Sequence, residues 1–197
     1  MSGADLSGKV DINLYRRYSD AANGNLHEVV PGKFVAFKGP VDLGGRDFRD
    51  DTNGVRVFSP SFYADIFRGM GVSTVIRLNE PCYDAAAFTS EGFEHFDLEF
   101  EDCTYPPDHI VVAFFRIVDA AAGGIAVHSH SGLGRTGTLI ALYLMRSHGF
   151  TARAAMGWLR IMRPGSVVGP QQHYLCEVDG RLPAAVETRR AAAAARG

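Results

Sequence analysis

No stretch of this chain is apolar for long enough to cross a bilayer, and its first residues lack the apolar core of a signal peptide. The sequence therefore reads as a soluble, intracellular protein without a membrane partner. Cysteine is scarce: Cys82, Cys103 and Cys176 are odd in number and widely spaced, which fits a reducing compartment rather than a disulfide framework. Lys and Arg form no cluster that would make nucleic acid a partner. Acid is missing from one long segment. Between Ala120 and Cys176 there are five arginines and no Asp or Glu, whereas residues 1–119 hold 19 acidic and 11 basic side chains, so a formal net charge of −2 hides a strong asymmetry. Such a segment suggests a positive field suited to an anion. A solvated helix face would look the same, and only Arg135 lies in a motif.

What is present is enough for one domain: 197 residues, 46% hydrophobic, can bury a core without staples. Residues 1–10 read as a flexible polar lead and 182–197 as an Ala/Arg-rich tail, a frayed helix or disordered, around a domain spanning 11–181. Within it the patterning predicts a short helix over 11–23 ended by Asn23-Gly24. A first strand over 33–37 follows the Val30-Pro31-Gly32 turn, and 39–54 reads as a loop. Ser59-Pro60 places an N-cap before a helix carrying Phe62, Ile66, Phe67 and Met70, closed by Gly71. A strand over 72–78 ends at Asn79. A helical turn over 84–90, an alternating strand over 93–100 and a helix over 108–122 follow, then helices over 136–145, over 151–162 with Trp158 in the core, and from Gly169 onward. This alternation predicts an α/β fold: a central, mostly parallel sheet flanked by helices, with its site outside the carboxyl ends of the strands.

The site candidate is the stretch Gly124 to Thr138, which reads as strand, glycine-broken loop and helix, and aims backbone N–H groups and a helix N-terminus into the loop. Gly132-x-Gly134-x-x-Gly137 matches the dinucleotide fingerprint, but the acidic residue required roughly 20 positions on is missing. A Walker loop needs a Lys where Arg135 or Gly137 stands. A Gly-x-Ser-x-Gly elbow needs a Gly two before Ser129 or Ser131, and there is none. The remaining reading fits: His128, then position 129, five residues, Arg135, Thr136 and Gly137. This is the His-Cys-x5-Arg-Thr/Ser-Gly phosphate loop of the cysteine-dependent phosphatases with Ser129 in the cysteine's place. Its physics needs a nucleophile at the base, amides curling round phosphoryl oxygens, an Arg closing a bidentate fork and an adjacent hydroxyl. All but the sulfur is present, and none of the three cysteines starts a second Cys-x5-Arg.

Around this loop the chain resembles the dual-specificity branch of the protein tyrosine phosphatases. The resemblance narrows at Val75-Ile76-Arg77-Leu78-Asn79, Gly92-Phe93-Glu94-His95-Phe96-Asp97-Leu98, Gly132-Leu133-Gly134-Arg135-Thr136-Gly137-Thr138-Leu139 and Arg163-Pro164-Gly165-Ser166-Val167-Val168-Gly169-Pro170-Gln171-Gln172. With Val30-Pro31-Gly32-Lys33-Phe34 these resemble the catalytic half of the cell-division-cycle-fourteen phosphatases. The resemblance implies a metal-free, cofactor-free, two-step mechanism on phosphorylated proteins or peptides. A cysteine at position 129 would attack phosphorus, with the backbone of His130, Ser131, Gly132, Leu133 and Gly134 and the Arg135 guanidinium holding the phosphate. Asp102 would be the general acid and base, although Glu101 or Asp108 could be confused with it. Thr136 would donate to the sulfur, and Gln171 or Gln172 would position water. His128 and Asn79 would support the loop base.

Three features depart from that family. Ser129 has neither the acidity of a thiol nor an adjacent base, so the chain as written is expected to bind phosphate without turnover. We read it as a Cys-to-Ser form of an enzyme whose other parts are intact; the alternative is a natural pseudophosphatase that binds phosphosites. The length leaves no room for the family's second, inactive phosphatase-like domain. The segment acidic in the family is basic here, at Tyr15-Arg16-Arg17-Tyr18, so the family's preference for phosphoserine-proline over phosphotyrosine does not carry over directly.

Overall fold

The computed structural model describes residues 10–181. The expected tail, and the lead but for Val10, lie outside them. Seven strands are found among the described residues: β1 (Leu26–Val30), β2 (Phe34–Lys38), β3 (Phe48–Asp50), β4 (Arg56–Phe58), β5 (Val72–Arg77), β6 (Glu94–Asp97) and β7 (Gly124–Ser129). Five make one sheet in the order β1-β2-β7-β5-β6, parallel throughout except for the antiparallel β1–β2 edge, and β3–β4 is a separate hairpin. The helices are α1 (Ile12–Ser19), α2 (Pro60–Gly69), α3 (Ala86–Thr89), α4 (Asp108–Ala120), α5 (Gly134–His148), α6 (Ala152–Met162) and α7 (Pro170–Val178). None is long and apolar enough to cross a membrane. The predicted α/β architecture is the one observed.

Strand alternation assigns each face its core. Phe34, Ala36, Ile76, Ile125 and Val127 pack with residues of α4, α5, α6 and α7. Their neighbours Val35, Phe37, Val75 and Ala126 face α2 and α3 in a second cluster rich in aromatic rings. β7 lies between β2 and β5 and all six of its residues are buried, which explains why it reads as a continuous apolar run rather than an alternating one. Its carboxyl end is therefore held on both sides by parallel neighbours. Ser129 stands at that end.

Several expectations change. The first strand is β1, whose polar His27 and Glu28 hide it; the predicted 33–37 strand is β2. The 39–54 loop contains β3, and the hairpin it forms with β4 is mostly solvent-facing, so its sequence carries no alternation. The 93–100 strand is only four residues long. Leu98 and Phe100 still bury their side chains, but their amides bond the carbonyls of Arg77 and Leu78 as the chain turns off the sheet edge. Ser59 stands at the N-cap of α2 without capping it, because its hydroxyl pairs with Ser61 Oγ at 2.7 Å. Trp158 is half-buried, donating Nε1–H to Val29 O at 2.8 Å. The 11–23 helix ends at Ser19, capped at its start by Asp11, and a 3₁₀ turn follows.

Phe37 ties the second core to the site, since its fully buried ring meets Tyr63, Phe67 and His128 at centroid distances of 4.9, 5.0 and 4.9 Å. Phe37→Ala is expected to cost about 3–5 kcal/mol, as large-to-small core changes of aromatics do. Urea unfolding checks it: a midpoint equal to that of the parent chain would mean the ring is dispensable.

Candidate active site

The loop from His130 to Leu133 joins β7 to α5 and is shaped by contacts on its outer side. Gly132 has φ +66°, and a Cβ there would stand 1.9 Å from Phe37 O. Only glycine allows the chain to run against β2 at this point. His130 O accepts from Gly39 N at 3.1 Å, and Leu133 O accepts from Gly137 N and Val167 N at 3.0 and 3.3 Å. Arg163, 1% exposed, holds the next two carbonyls: Nε donates to Gly132 O at 2.7 Å and Nη2 to Ser131 O at 2.8 Å. Its Nη1 donates to Asn25 O at 2.9 Å and to His27 Nδ1 at 2.8 Å. With its carbonyls turned outward to these donors, the loop has its amides free to face inward. Burial lowers the Arg163 pKa to about 10, and burial together with the Arg163 charge lowers His27 to about 4. His27 is thus a neutral acceptor. Sequence reasoning missed Arg163; its partners lie 31 to 138 positions away, so no local pattern marks them.

Inside the loop, Ser129 Oγ is buried and accepts from Gly132 N at 3.2 Å and from Thr136 Oγ1 at 3.3 Å. Thr136 and Gly134 lie in the first turn of α5, so the positive end of that helix points at Ser129. Arg135 is 3% exposed, and its Nη1 donates to Leu78 O at 3.2 Å and Phe100 O at 2.9 Å. Its Nε lies 3.1 Å from Asp102 Oδ1 but off the line of a hydrogen bond, and neither Nε nor Nη2 has a hydrogen-bond partner among the described residues. A buried guanidinium with two nitrogens lacking a hydrogen-bond partner is arranged to receive an anion's oxygens. The Asp102 side chain is 63% exposed, so it reaches Arg135 from the solvent side of the pocket.

His128 is fully buried and bonds Tyr83 OH through Nε2 at 2.8 Å, with Ser129 O at 3.3 Å from Nδ1. Tyr83 OH also meets His95 Nε2 at 2.9 Å. Burial lowers the His128 pKa to about 3, so the ring is neutral and structural at physiological pH. Asn79, also buried, donates Nδ2–H to Glu80 O at 2.8 Å beside the Arg135 pocket. The two glutamines separate. Gln171 is fully buried, accepts from Val168 N at 3.1 Å and donates to Thr104 O at 3.0 Å, tying α7 to the Asp102 loop. Gln172 instead accepts from Arg160 Nη2 at 2.8 Å. Ser129, Thr136, Arg135, Asp102 and Gln171 are therefore brought together, and Gln172 is not.

Residues 61–149 match the family model described as "Polymorphic toxin system, DSP-PTPase phosphatase". The tyrosine-protein phosphatase cdc-14 of Caenorhabditis elegans is 47% identical over 167 residues, 85% of this chain and 23% of that protein. The homologues of this chain are CDC14 phosphatases. Human dual-specificity protein phosphatase CDC14A is 44% identical over 172 residues, 87% of this chain and 28% of its own. The chain thus spans about a quarter of the length of the CDC14 relatives it matches. The crystal structure of PTPMT1 in complex with PI(5)P shares the fold, with a TM-score of 0.63 at 19% identity, covering 84% of this chain and 98% of that one.

Two outcomes follow from this geometry. Gly132→Ala must move the loop off Phe37 O, and strain of about 1–3 kcal/mol at such a position corresponds to a loss of inorganic phosphate affinity of roughly five- to 150-fold. Calorimetric titration checks it, and unchanged affinity would show that the close approach does not shape the cradle. The second concerns pH. His27 and His128 bind protons less readily folded than unfolded, so the unfolded state takes up protons first as pH falls below 6.5, the ordinary histidine value. Stability is expected to drop from pH 6.5 down to about 4 for His27 and about 3 for His128. Thermal unfolding between pH 7 and 4.5 reads this, and His27→Gln should flatten the slope.

Proposed function

We propose that residues 11–181 form the catalytic domain of a cysteine-type dual-specificity protein phosphatase in which serine occupies the nucleophile's position. As it stands, the chain captures phosphorylated Ser, Thr or Tyr side chains of proteins or peptides and does not hydrolyse them. The observation that carries this reading is that Nε and Nη2 of buried Arg135 have no hydrogen-bond partner among the described residues, while Asp102 Oδ1 stands 3.1 Å from Nε at the solvent side. The homology to proteins named dual-specificity and tyrosine-protein phosphatases supports it.

In the cysteine form, the thiolate at position 129 attacks phosphorus while the ester P–O bond breaks. Asp102 gives its proton to the departing oxygen. The loop amides of residues 130–135 and the Arg135 fork hold the three remaining phosphoryl oxygens as charge redistributes among them. Asp102, now a carboxylate, then takes a proton from a water that Gln171 positions, and that water releases phosphate from sulfur. Thr136 donates to the sulfur as it leaves. A loop cysteine, starting near pKa 8.5 and lowered by about 1–5 units in such surroundings, would be ionised at neutral pH. A serine hydroxyl is not, and among the described residues the partners of Ser129 Oγ are Gly132 N and Thr136 Oγ1 rather than a base. Substrates with proline after the phosphorylated serine or threonine belong to this reading.

One observation favours a second reading, a natural phosphosite-binding module. The Ser129 hydroxyl is accommodated, with two donors at hydrogen-bond distance. Binding alone does not require Asp102, which favours the enzyme.

Ser129→Cys is expected to hydrolyse an aryl phosphate in the presence of reductant and without added metal. That activity should fall at least about a hundredfold with Asp102→Asn, as loss of a general acid does, and should vanish with Arg135→Ala. A silent revertant that still binds phosphopeptide would leave the binding module standing and remove the enzyme.

A further inference from the structure

On the rim of the phosphate loop, three side chains without a part in the phosphatase chemistry converge. Glu80 and Cys82 come from the connection between β5 and α3, and His130 from the loop itself. Their ligand atoms all lie within 4.8 Å of one another, and His130 Nε2 is 2.8 Å from Glu80 Oε1. Glu80 and His130 are about half exposed and Cys82 is partly covered, so an ion from solvent can reach all three. Behind them stands Asn79, 2% exposed, whose Nδ2 lies 3.8 Å from Cys82 Sγ and whose Oδ1 has no partner among the described residues. The spacing in sequence gave no sign of this: 80, 82 and 130 match no ligand motif, and the sequence led us to expect no metal.

We propose that Glu80, Cys82 and His130 form a zinc site. A thiolate, an imidazole and a carboxylate are the donors that borderline-soft zinc accepts, whereas calcium and magnesium call for oxygen donors throughout. Ligand atoms about 2.0–2.3 Å from a tetrahedral ion stand about 3.3–3.8 Å apart. Rotamer changes of the exposed Glu80 and His130 bring the set to that spacing, opening their own 2.8 Å contact and closing the longer ones, and leave a fourth position for water. On binding, the Cys82 thiol gives its proton to solvent and its sulfur lone pair to the metal. The Asn79 amide behind the sulfur then serves as an outer-shell donor. Because the backbone of His130 belongs to the phosphate loop, a metal held here fastens that loop to the end of β5, whatever stands at position 129.

The test uses the full chain with Cys103→Ser and Cys176→Ser, both exposed positions, so that Cys82 is the remaining thiol. Cobalt(II) alone is the probe. A thiolate-to-cobalt charge-transfer absorption is expected, displaced stoichiometrically by zinc, abolished by Cys82→Ser, and shifted to at least about tenfold higher metal concentration by Glu80→Gln. Far-ultraviolet circular dichroism of both variants establishes that loss of the band is not loss of fold. Absence of the band in the parent, or zinc affinity unaltered by both substitutions, overturns the site.

Discussion

Two guanidinium groups are buried against the one loop between β7 and α5, and neither is neutralised by a buried carboxylate. Taking an unpaired charge out of water is among the most expensive things a fold can do, so each must be surrounded by dipoles aimed at it. Arg163 has four acceptors, two of them the carbonyls of Ser131 and Gly132. Arg135 has only two, from Leu78 and Phe100, and keeps Nε and Nη2 without a hydrogen-bond partner among the described residues. The difference divides the labour. The saturated arginine fixes the shape of the loop from outside, and the unsaturated one makes the inside attractive to an anion. The neutral histidines fit this arrangement, since a protonated His27 would set a second cation against Arg163.

The sheet supplies the rest of the constraint. A parallel strand buried on both faces and paired on both edges cannot shift its end without breaking two ladders. Position 129 is therefore held in place by the ladders on either side of it. The proposed acid comes from the opposite regime: Asp102 sits on an exposed connection after β6, reaching a buried partner from solvent. Chemistry that needs a fixed nucleophile and a proton carrier able to serve two steps is matched by this contrast between strand end and loop.

Legibility in the sequence followed the physics of each segment. β7, the glycine loop and α5 were read because burial on both sides, φ > 0 at Gly132 and helical spacing each leave a local trace. Arg135, Thr136 and the serine at position 129 were read from spacing alone. The edge strand β1 and hairpin β3–β4 were not, because an edge strand holding His27 for a tertiary partner and a solvent-facing hairpin carry no periodicity. The choice between Gln171 and Gln172 was likewise invisible. Adjacent residues in a first helical turn point roughly 100° apart, and which one faces the loop depends on how α7 is docked. Arg163 and the Glu80, Cys82, His130 group are wholly non-local, joining residues up to 138 positions apart in the first case.

Gln171 is a strut, and in the proposed reaction it also positions water. Its amide nitrogen carries the Thr104 carbonyl and its oxygen carries the Val168 amide, while a few residues away Tyr105 stacks on Tyr174 at 4.9 Å and 7° between planes. Shortening this side chain would release the acid-bearing connection as well as any water it orders. A fall in rate on substituting Gln171 therefore cannot be assigned to dephosphorylation alone. Only a cycle that also separates Tyr105 from Tyr174 would apportion it, because the two fastenings share one load.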